Sequence, residues 1–447
     1  MPQPRDPQKI LDTLIDAAKR QGADAADALL VESISASVSY RLGKLEDVER
    51  SESSDLGLRV FIGNRVAMIS SSDFSDESLT ALPERAIAMA KLAPEDKFAG
   101  LAPRERLARA IPDLDLEDRN EPAAEILVEW ARSAEQAGLA VPGVTNSEGG
   151  GAGFSRMGVA LATSEGFFGR YAGTSHNIGV AVLAGEGTGM ERDYDHASAR
   201  HAKDLRSAEA IGRSAGEKAV RRLNPRKMKS QSVPVVFDPR EAGGLLGHLA
   251  GAISGASVAR GTSFLKDRMN TEIFAPHIRV IDDPHRPRGL RSKPFDGEGV
   301  ANARRAFIDK GVLTSWILDC ASARQLGLAT TGHAARGTGG PPMPSATNLY
   351  MEAGALSAKA LIADIKQGFY VTELMGMGVN GVTGDYSRGA AGFWIENGEI
   401  AFPVSEVTIA GNLKEMFRQL TPADDLEFRY GTNAPTCRIE GMTIAGA

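Results

Sequence analysis

Few residues in this chain are suited to chemistry, and they are scattered. The histidines are His176, His196, His201, His248, His277, His285 and His333. A zinc site needs several His, Cys or carboxylate donors converging on one point. His196 and His201 are five apart, so on a helix they would point about 140° from each other. The sequence contains no His-Glu-x-x-His and no Cys-x-x-Cys, so a self-contained metal site is not expected. Nor is there a Gly-x-Ser-x-Gly elbow, since Ser254-Gly255 and Ser387-Arg388-Gly389 do not fit one. Two polar groupings remain as substrate contacts. Asp296-Gly297-Glu298 puts two carboxylates on one side if the segment is extended, and a solvated turn is its plainer reading. Asp385-Tyr386-Ser387-Arg388 follows a glycine-rich stretch and could hold a substrate backbone, with a structural turn as the alternative. His248 stands alone, either as a packed histidine or as a catalytic one.

The stretch that must position His248 runs from Val233 to Gly255. Val233-Pro-Val-Val-Phe237 reads as a buried strand. Asp238 then supplies a side-chain acceptor at a helix cap, and Pro239 falls where no amide hydrogen is needed. The helix that follows carries Gly243, Gly244, Gly247, Gly251 and Gly255. Each glycine costs a helix interior about 1 kcal/mol relative to alanine. Gly247, Gly251 and Gly255 are four apart and share a face, which predicts close approach of another backbone.

The surrounding chain reads as α+β in two domains, 1–228 and 229–447. In the first, Asp6-Pro7 opens a helix that ends at Gly22, with Ile10, Leu11, Leu14, Ile15 and Ala18 as its apolar stripe. Strands follow from Ala26 to Ser72, including a hairpin across Gly63-Asn64. Helices are expected from Ser75 to Leu92, from Ala123 to Ala137 and from Ala202 to Leu223. Pro94 to Pro122 reads as a surface connection. Asn146–Gly149 and Thr163–Gly166 both read as hairpin turns, and Gly149–Gly153 and Gly185–Gly189 as loops. The basic run Arg221–Lys229 marks the boundary. The second domain is β-rich: a strand at Ile278–Ile281, hairpins at Phe307–Leu313 and Trp394–Ile400, and close-packed strands over Phe369–Phe402. It adds a helix over Leu356–Gly368, a short one over Asn412–Arg418, and a closing strand at Ile439–Ile444.

Composition narrows the class. The chain has 447 residues, 42% hydrophobic and 24% charged, as in globular proteins with a sizeable core. A net charge of −6 argues against a nucleic-acid binder working through bulk charge. No apolar run is long enough to span a membrane, and the N-terminal segment lacks the apolar core of a signal peptide. Cys320 and Cys437 are the two cysteines, which implies no disulfide framework and suits the cytoplasm.

The order of segments resembles the TldD/PmbA family (TldD/TldE), historically named modulators of DNA gyrase. The likeness covers nearly the whole chain. It is strongest from Phe295 to Gly411, through Phe295–Gly299, Phe307–Gly311, Gly327–Gly332, Met343–Tyr350 and Phe402–Gly411. In the TldD branch a His-Glu-x-x-x-His helix follows a strand, and its zinc-bound water hydrolyses peptides. Laid on that motif, Gly247 and Ala252 stand at the two histidines and His248 at the glutamate. Cys437 lies beyond the position of the family's third ligand, a C-terminal cysteine. The resemblance therefore implies the PmbA/TldE branch: no catalytic or metal residue in this chain, and zinc carried by a TldD-type partner subunit. It further implies unfolded or linear peptide substrates, in peptide maturation or antitoxin removal, with a homodimer possible when the chain is alone. Asp296, Glu298, Asp385 and Ser387 are the expected peptide contacts, through pairing of an extended peptide with the strand-rich second half. Two other functions stay open: an interaction protein acting on a topoisomerase, or an independent hydrolase using His248 with Asp296 and Glu298.

Overall fold

The computed structural model describes residues 6–446, so the first five residues of the N-terminal segment read above lie outside it. The mixture of helices and antiparallel sheets is α+β. The first half is one antiparallel sheet, in the order β3-β2-β1-β4-β5-β6. Its strands are β1 (Ala25–Arg41), β2 (Lys44–Ile62), β3 (Arg65–Ser71), β4 (Val144–Thr163), β5 (Phe168–Ala184) and β6 (Glu191–Ala199). Alternation sorts the two faces. Ala26, Ala28, Leu30 and Val38 point to one side, with Ile178 and Val180 of β5, and four helices cover that side of the sheet. These are α1 (Pro7–Arg20), α2 (Asp76–Leu92), α3 (Ala124–Leu139) and α4 (Ala208–Arg221). Leu29, Val31 and Leu161 point to the other side and pack on Phe295, Val300 and Cys320 of the second half. The sheet is thus a plate between helices and the C-terminal half.

Local chemistry explains most elements. Asp6 and Ser75 cap α1 and α2 by accepting from Gln8 N and Ser78 N. The hairpin across Gly63-Asn64 forms as expected, with Gly63 at φ 56°. So do the turn after Thr163 and the hairpins at Phe307–Leu313 and Trp394–Ile400. Four expectations are corrected. Asn146–Gly149 is no turn, and Gly149–Gly153 no loop: both lie within β4, which bulges there. A Cβ on Gly150 would sit 2.3 Å from the Ala131 carbonyl of α3, so the glycines let the helix settle onto the strand. The helix predicted over Leu356–Gly368 shrinks to Ala358–Ile362, because Gln367 onward is drawn into a strand. The segment 94–122 is partly buried rather than superficial: Leu107, Leu114 and Leu116 are buried, and Ala108 N donates to Gly299 O.

The second half is built on five strands: β7 (Gln231–Phe237), β8 (Gln367–Met375), β9 (Asp385–Glu396), β10 (Glu399–Asn412) and β11 (Cys437–Ala445). β7 pairs parallel with β8, and β8-β9-β10-β11 continue antiparallel until β11 returns to β7. The strands close into a ring, so each has a strand neighbour on both sides. The closure is partial: β10 meets β11 only over 408–410, and β8 meets β7 only over 369–371. A helix, α5 (Pro239–Ala252), follows β7 and packs Leu245, Leu246 and Leu249 into the main core.

Candidate functional site

Helix α5 begins as its sequence predicts. Asp238 caps it by accepting from Arg240 N at 3.1 Å, and Pro239 occupies the first turn. Arg240 ties this end to the N-terminal sheet: its guanidinium reaches both oxygens of Asp193 on β6, at 2.8 and 3.2 Å. The glycine face behaves differently from expectation. A Cβ built on Gly244, Gly247 or Gly251 would meet nothing within 4 Å. These glycines face open space and not another backbone. At the start of the helix a Cβ on Gly243 would lie 3.2 Å from Thr432 O, and Gly255, just past α5, is packed tightly against Leu318 and Ser322. Close glycine packing of helix on helix occurs instead between α3 and α4. There a Cβ on Gly212 would lie 2.0 Å from Ala134 O.

His248 sits beside this open face, half-buried, its ring edge-on to Tyr386 at 5.8 Å between centroids. It lines a cavity of about 320 Å³ together with Gly247, Gly251, Phe264, Met377 and Arg388. Burial, and then the Arg388 guanidinium, hold the imidazole below its usual pKa. The motif positions offer a metal little: Gly247 and Ala252 have no donor atom, and a fixed cation stands near the one imidazole. These residues do not fit zinc. Cys437 is no nearer a ligand. It pairs opposite Phe237, before α5 begins, and its buried thiol lies 3.2 Å from Pro435 O.

Asp385 and Ser387 are exposed on β9. Thr383 Oγ1 and Asn412 Nδ2 donate to Asp385, at 2.6 and 3.0 Å, and hold its carboxyl below the ordinary range. Ser387 N donates to Gly378 O at 2.7 Å. Between and beyond them, Tyr386 and Arg388 turn to the other side of the strand, toward His248. The sequence places all four residues in one grouping, but only Asp385 and Ser387 are expected as peptide contacts; strand alternation is the signal that sends Tyr386 and Arg388 to the other face.

Asp296 and Glu298 lie elsewhere, sealed against the N-terminal sheet and 1% and 3% exposed. Asp296 accepts from the backbone N–H groups of Glu298, Val300 and Ala334, at 2.8 to 3.0 Å. Glu298 accepts from Cys320 N at 2.8 Å and lies 3.8 Å from Arg59. Arg59 on β2 is paired with Asp27 opposite it on β1, and Arg336 reaches the same aspartate at 2.8 Å. Burial raises both acids, Glu298 to about 7. The same burial, with both acids beside it, pushes the Cys320 thiol up. The small cavity beside Glu298 shares no residue with the one beside His248, so the structure does not bring His248 and this pair together. A hydroxyl–imidazole–carboxylate line does exist at Thr331, His333 and Asp282, with 3.0 and 3.1 Å contacts. All three are buried, and Thr331 donates to Leu318 O.

Comparison with known proteins agrees along the whole chain. Residues 26–90, 111–223 and 230–446 match models of domain 1, the central domain and the C-terminal domain of the PmbA/TldA metallopeptidases. Metalloprotease PmbA of Escherichia coli O157:H7 is 40% identical over 98% of this chain and 97% of its own. A metalloprotease PmbA homolog of Haemophilus influenzae is 36% identical over 97% and 94%. The crystal structure of a candidate modulator of DNA gyrase from Bacteroides thetaiotaomicron superimposes with a TM-score of 0.91 at 27% identity, covering 98% of this chain and 99% of that one. TldE from Thermococcus kodakarensis shares the fold, with a TM-score of 0.87 at 23% identity over 97% and 99%. The chain belongs to the PmbA/TldD metallopeptidase family.

Proposed function

We propose that this chain is the PmbA/TldE-type subunit of a cytoplasmic heteromeric zinc peptidase that cleaves unfolded or linear peptides, in peptide maturation or antitoxin removal. A TldD-type partner subunit supplies the zinc and the hydrolytic step. The observation that carries this reading is the substitution pattern on α5. The helix follows its strand as in the zinc branch, yet Gly247, His248 and Ala252 occupy the motif positions. An open glycine face with a cavity beside it favours contact with another chain over chemistry of its own. Asp385 and Ser387 remain proposed peptide contacts because they are exposed. Asp296 and Glu298, proposed for the same role, are engaged in joining the two halves.

The test is to purify the chain alone and with its TldD-type partner, then measure bound zinc and cleavage of an unstructured peptide. Zinc and cleavage only in the pair are expected. Zinc in the isolated chain overturns the reading, as does a pair that cleaves nothing. His248→Ala in the pair is expected to change the cleavage rate by less than about threefold, under 1 kcal/mol of barrier. A loss of several orders of magnitude would make His248 catalytic.

A further inference from the structure

The cavity of about 320 Å³ beside α5 has a one-sided chemistry. Arg388 is the one charged residue that lines it, and no acid does. Half-buried on β9, Arg388 donates its Nε to Met375 O at 3.2 Å. Among the described residues it forms no salt bridge, and its two terminal amino groups have no hydrogen-bond partner. Glu241 on α5 feels its charge from beyond salt-bridge range. A guanidinium drawn partly out of water without a counter-ion leaves its charge uncompensated. Ser257 and His248 line the same cavity, and neither the hydroxyl nor the imidazole is hydrogen-bonded among the described residues. The rest of the wall is apolar, at Phe264, Val379 and Leu413, or bare, at Gly247 and Gly251. The cavity of about 310 Å³ between Tyr194 and Tyr430 makes a contrast, because acids line it together with Lys218, Arg240 and Arg429.

We propose that this cavity takes the C-terminal end of a peptide, with the α-carboxylate on Arg388 and the last side chain against Phe264, Val379 and Leu413. That the ligand is a peptide rests on the peptidase reading; which end of it binds rests on the cavity. Arg388 selects a carboxylate because the two amino groups of a guanidinium match its two oxygens, a fit that an ammonium group does not give. The Ser257 hydroxyl adds a donor on the same wall. A terminal residue is selected over an internal aspartate or glutamate by the mixed lining. It carries a carboxylate and a side chain on one Cα, so one small cavity holds both. An internal acid spends its side chain on the arginine, leaves the apolar wall uncovered, and brings chain on both sides. Gly247 and Gly251 complete the fit, since a Cβ on either would project into space that the peptide main chain can use.

Fluorescence anisotropy on the full chain, without a partner subunit, tests this. The probe is a short unstructured peptide labelled at its N-terminus and ending in leucine. It is made with a free C-terminal carboxylate, as its C-terminal amide, and as an amide with aspartate in the last place. The free acid is expected to bind about tenfold or more tightly than the leucine amide, about 1.4 kcal/mol. Arg388→Gln should abolish that preference by weakening the acid alone. Amide binding, held by the apolar wall, should stay within about twofold in the variant, which shows that the fold is kept. Gly251→Leu fills the cavity and should weaken both leucine peptides. Equal binding of acid and amide overturns the proposal, as does a preference that survives either substitution, or no binding at all. An aspartate amide that binds as tightly as the free acid overturns the assignment to a chain end. Cleavage of the same peptides by the paired subunits is measured separately. Cleavage without the preference removes this inference and leaves the peptidase reading, and the preference without cleavage does the reverse.

Discussion

Two regions of this molecule carry polar residues that the sequence offers as sites, and they are built on opposite plans. Around Arg59, Asp27, Arg336, Asp296 and Glu298 the charged groups are sealed, and backbone N–H groups or opposite charges face them, although Arg336 Nε has no hydrogen-bond partner. Around His248 there is one half-buried imidazole, a cation, and a helix face stripped to glycine. Charge removed from water in this amount is costly unless paired, so the sealed group must hold its partners in register. The open group holds nothing in place and leaves room. The first is where the two halves meet, and the second is where another molecule can approach.

Breaking the sealed group should have the largest effect. Arg59→Met leaves Asp27 buried with Arg336 alone and removes the charge nearest Glu298. Loss of one partner of a buried pair costs about 3–5 kcal/mol. The midpoint of urea unfolding should fall accordingly, while His248→Ala changes it by less than about 1 kcal/mol. If Arg59→Met costs no more than His248→Ala, the contrast between the two regions collapses.

A smaller effect separates the regions by pH. Burial, offset by Arg59 and reinforced by Asp296, raises the Glu298 carboxyl from 4.5 to about 7. The folded chain therefore keeps a proton that the unfolded chain has lost. Between about pH 4.5 and 7 stability falls as pH rises, by up to roughly 3 kcal/mol from this group. Asp296, also raised, adds a change of the same sign. Glu298→Gln keeps an acceptor for Cys320 N and removes the titration. Denaturation midpoints at pH 5 and 7.5 should converge in the variant relative to the parent. Equal slopes in both would place the ionisation elsewhere.

Much of the scaffold was legible because its causes are local. Asp238-Pro239 starts α5, Gly63-Asn64 turns a hairpin, and Gly22, at φ 104°, lies just past the end of α1. What was not legible has causes distant in the chain. The glycines of 149–153 resemble a loop until α3 lies across them. Leu356–Gly368 looks helical until β7 and β9 claim its end as a strand. Asp296 and Glu298 look like a solvated turn because nothing nearby in sequence announces Arg59 or Ala334. The empty motif on α5 was readable residue by residue. That its glycine face is open was not, since four-residue spacing states which residues share a face and not what covers it.

The smallest effect tests that last point. Gly247→Ala adds a methyl group where nothing lies within 4 Å, at a helical position. It should stabilise the chain by about 0.5–1 kcal/mol, because alanine loses less backbone freedom on folding. The same change at Gly212, where the methyl would fall 2.0 Å from Ala134 O, should destabilise it. Opposite signs from one substitution, read from urea midpoints, distinguish glycine kept for packing from glycine facing space. Folding gives no reason to keep Gly247. If Gly247→Ala raises stability and yet slows peptide cleavage by the paired subunits, the open face is in contact with substrate or partner. If cleavage is unchanged, that contact lies elsewhere on the chain.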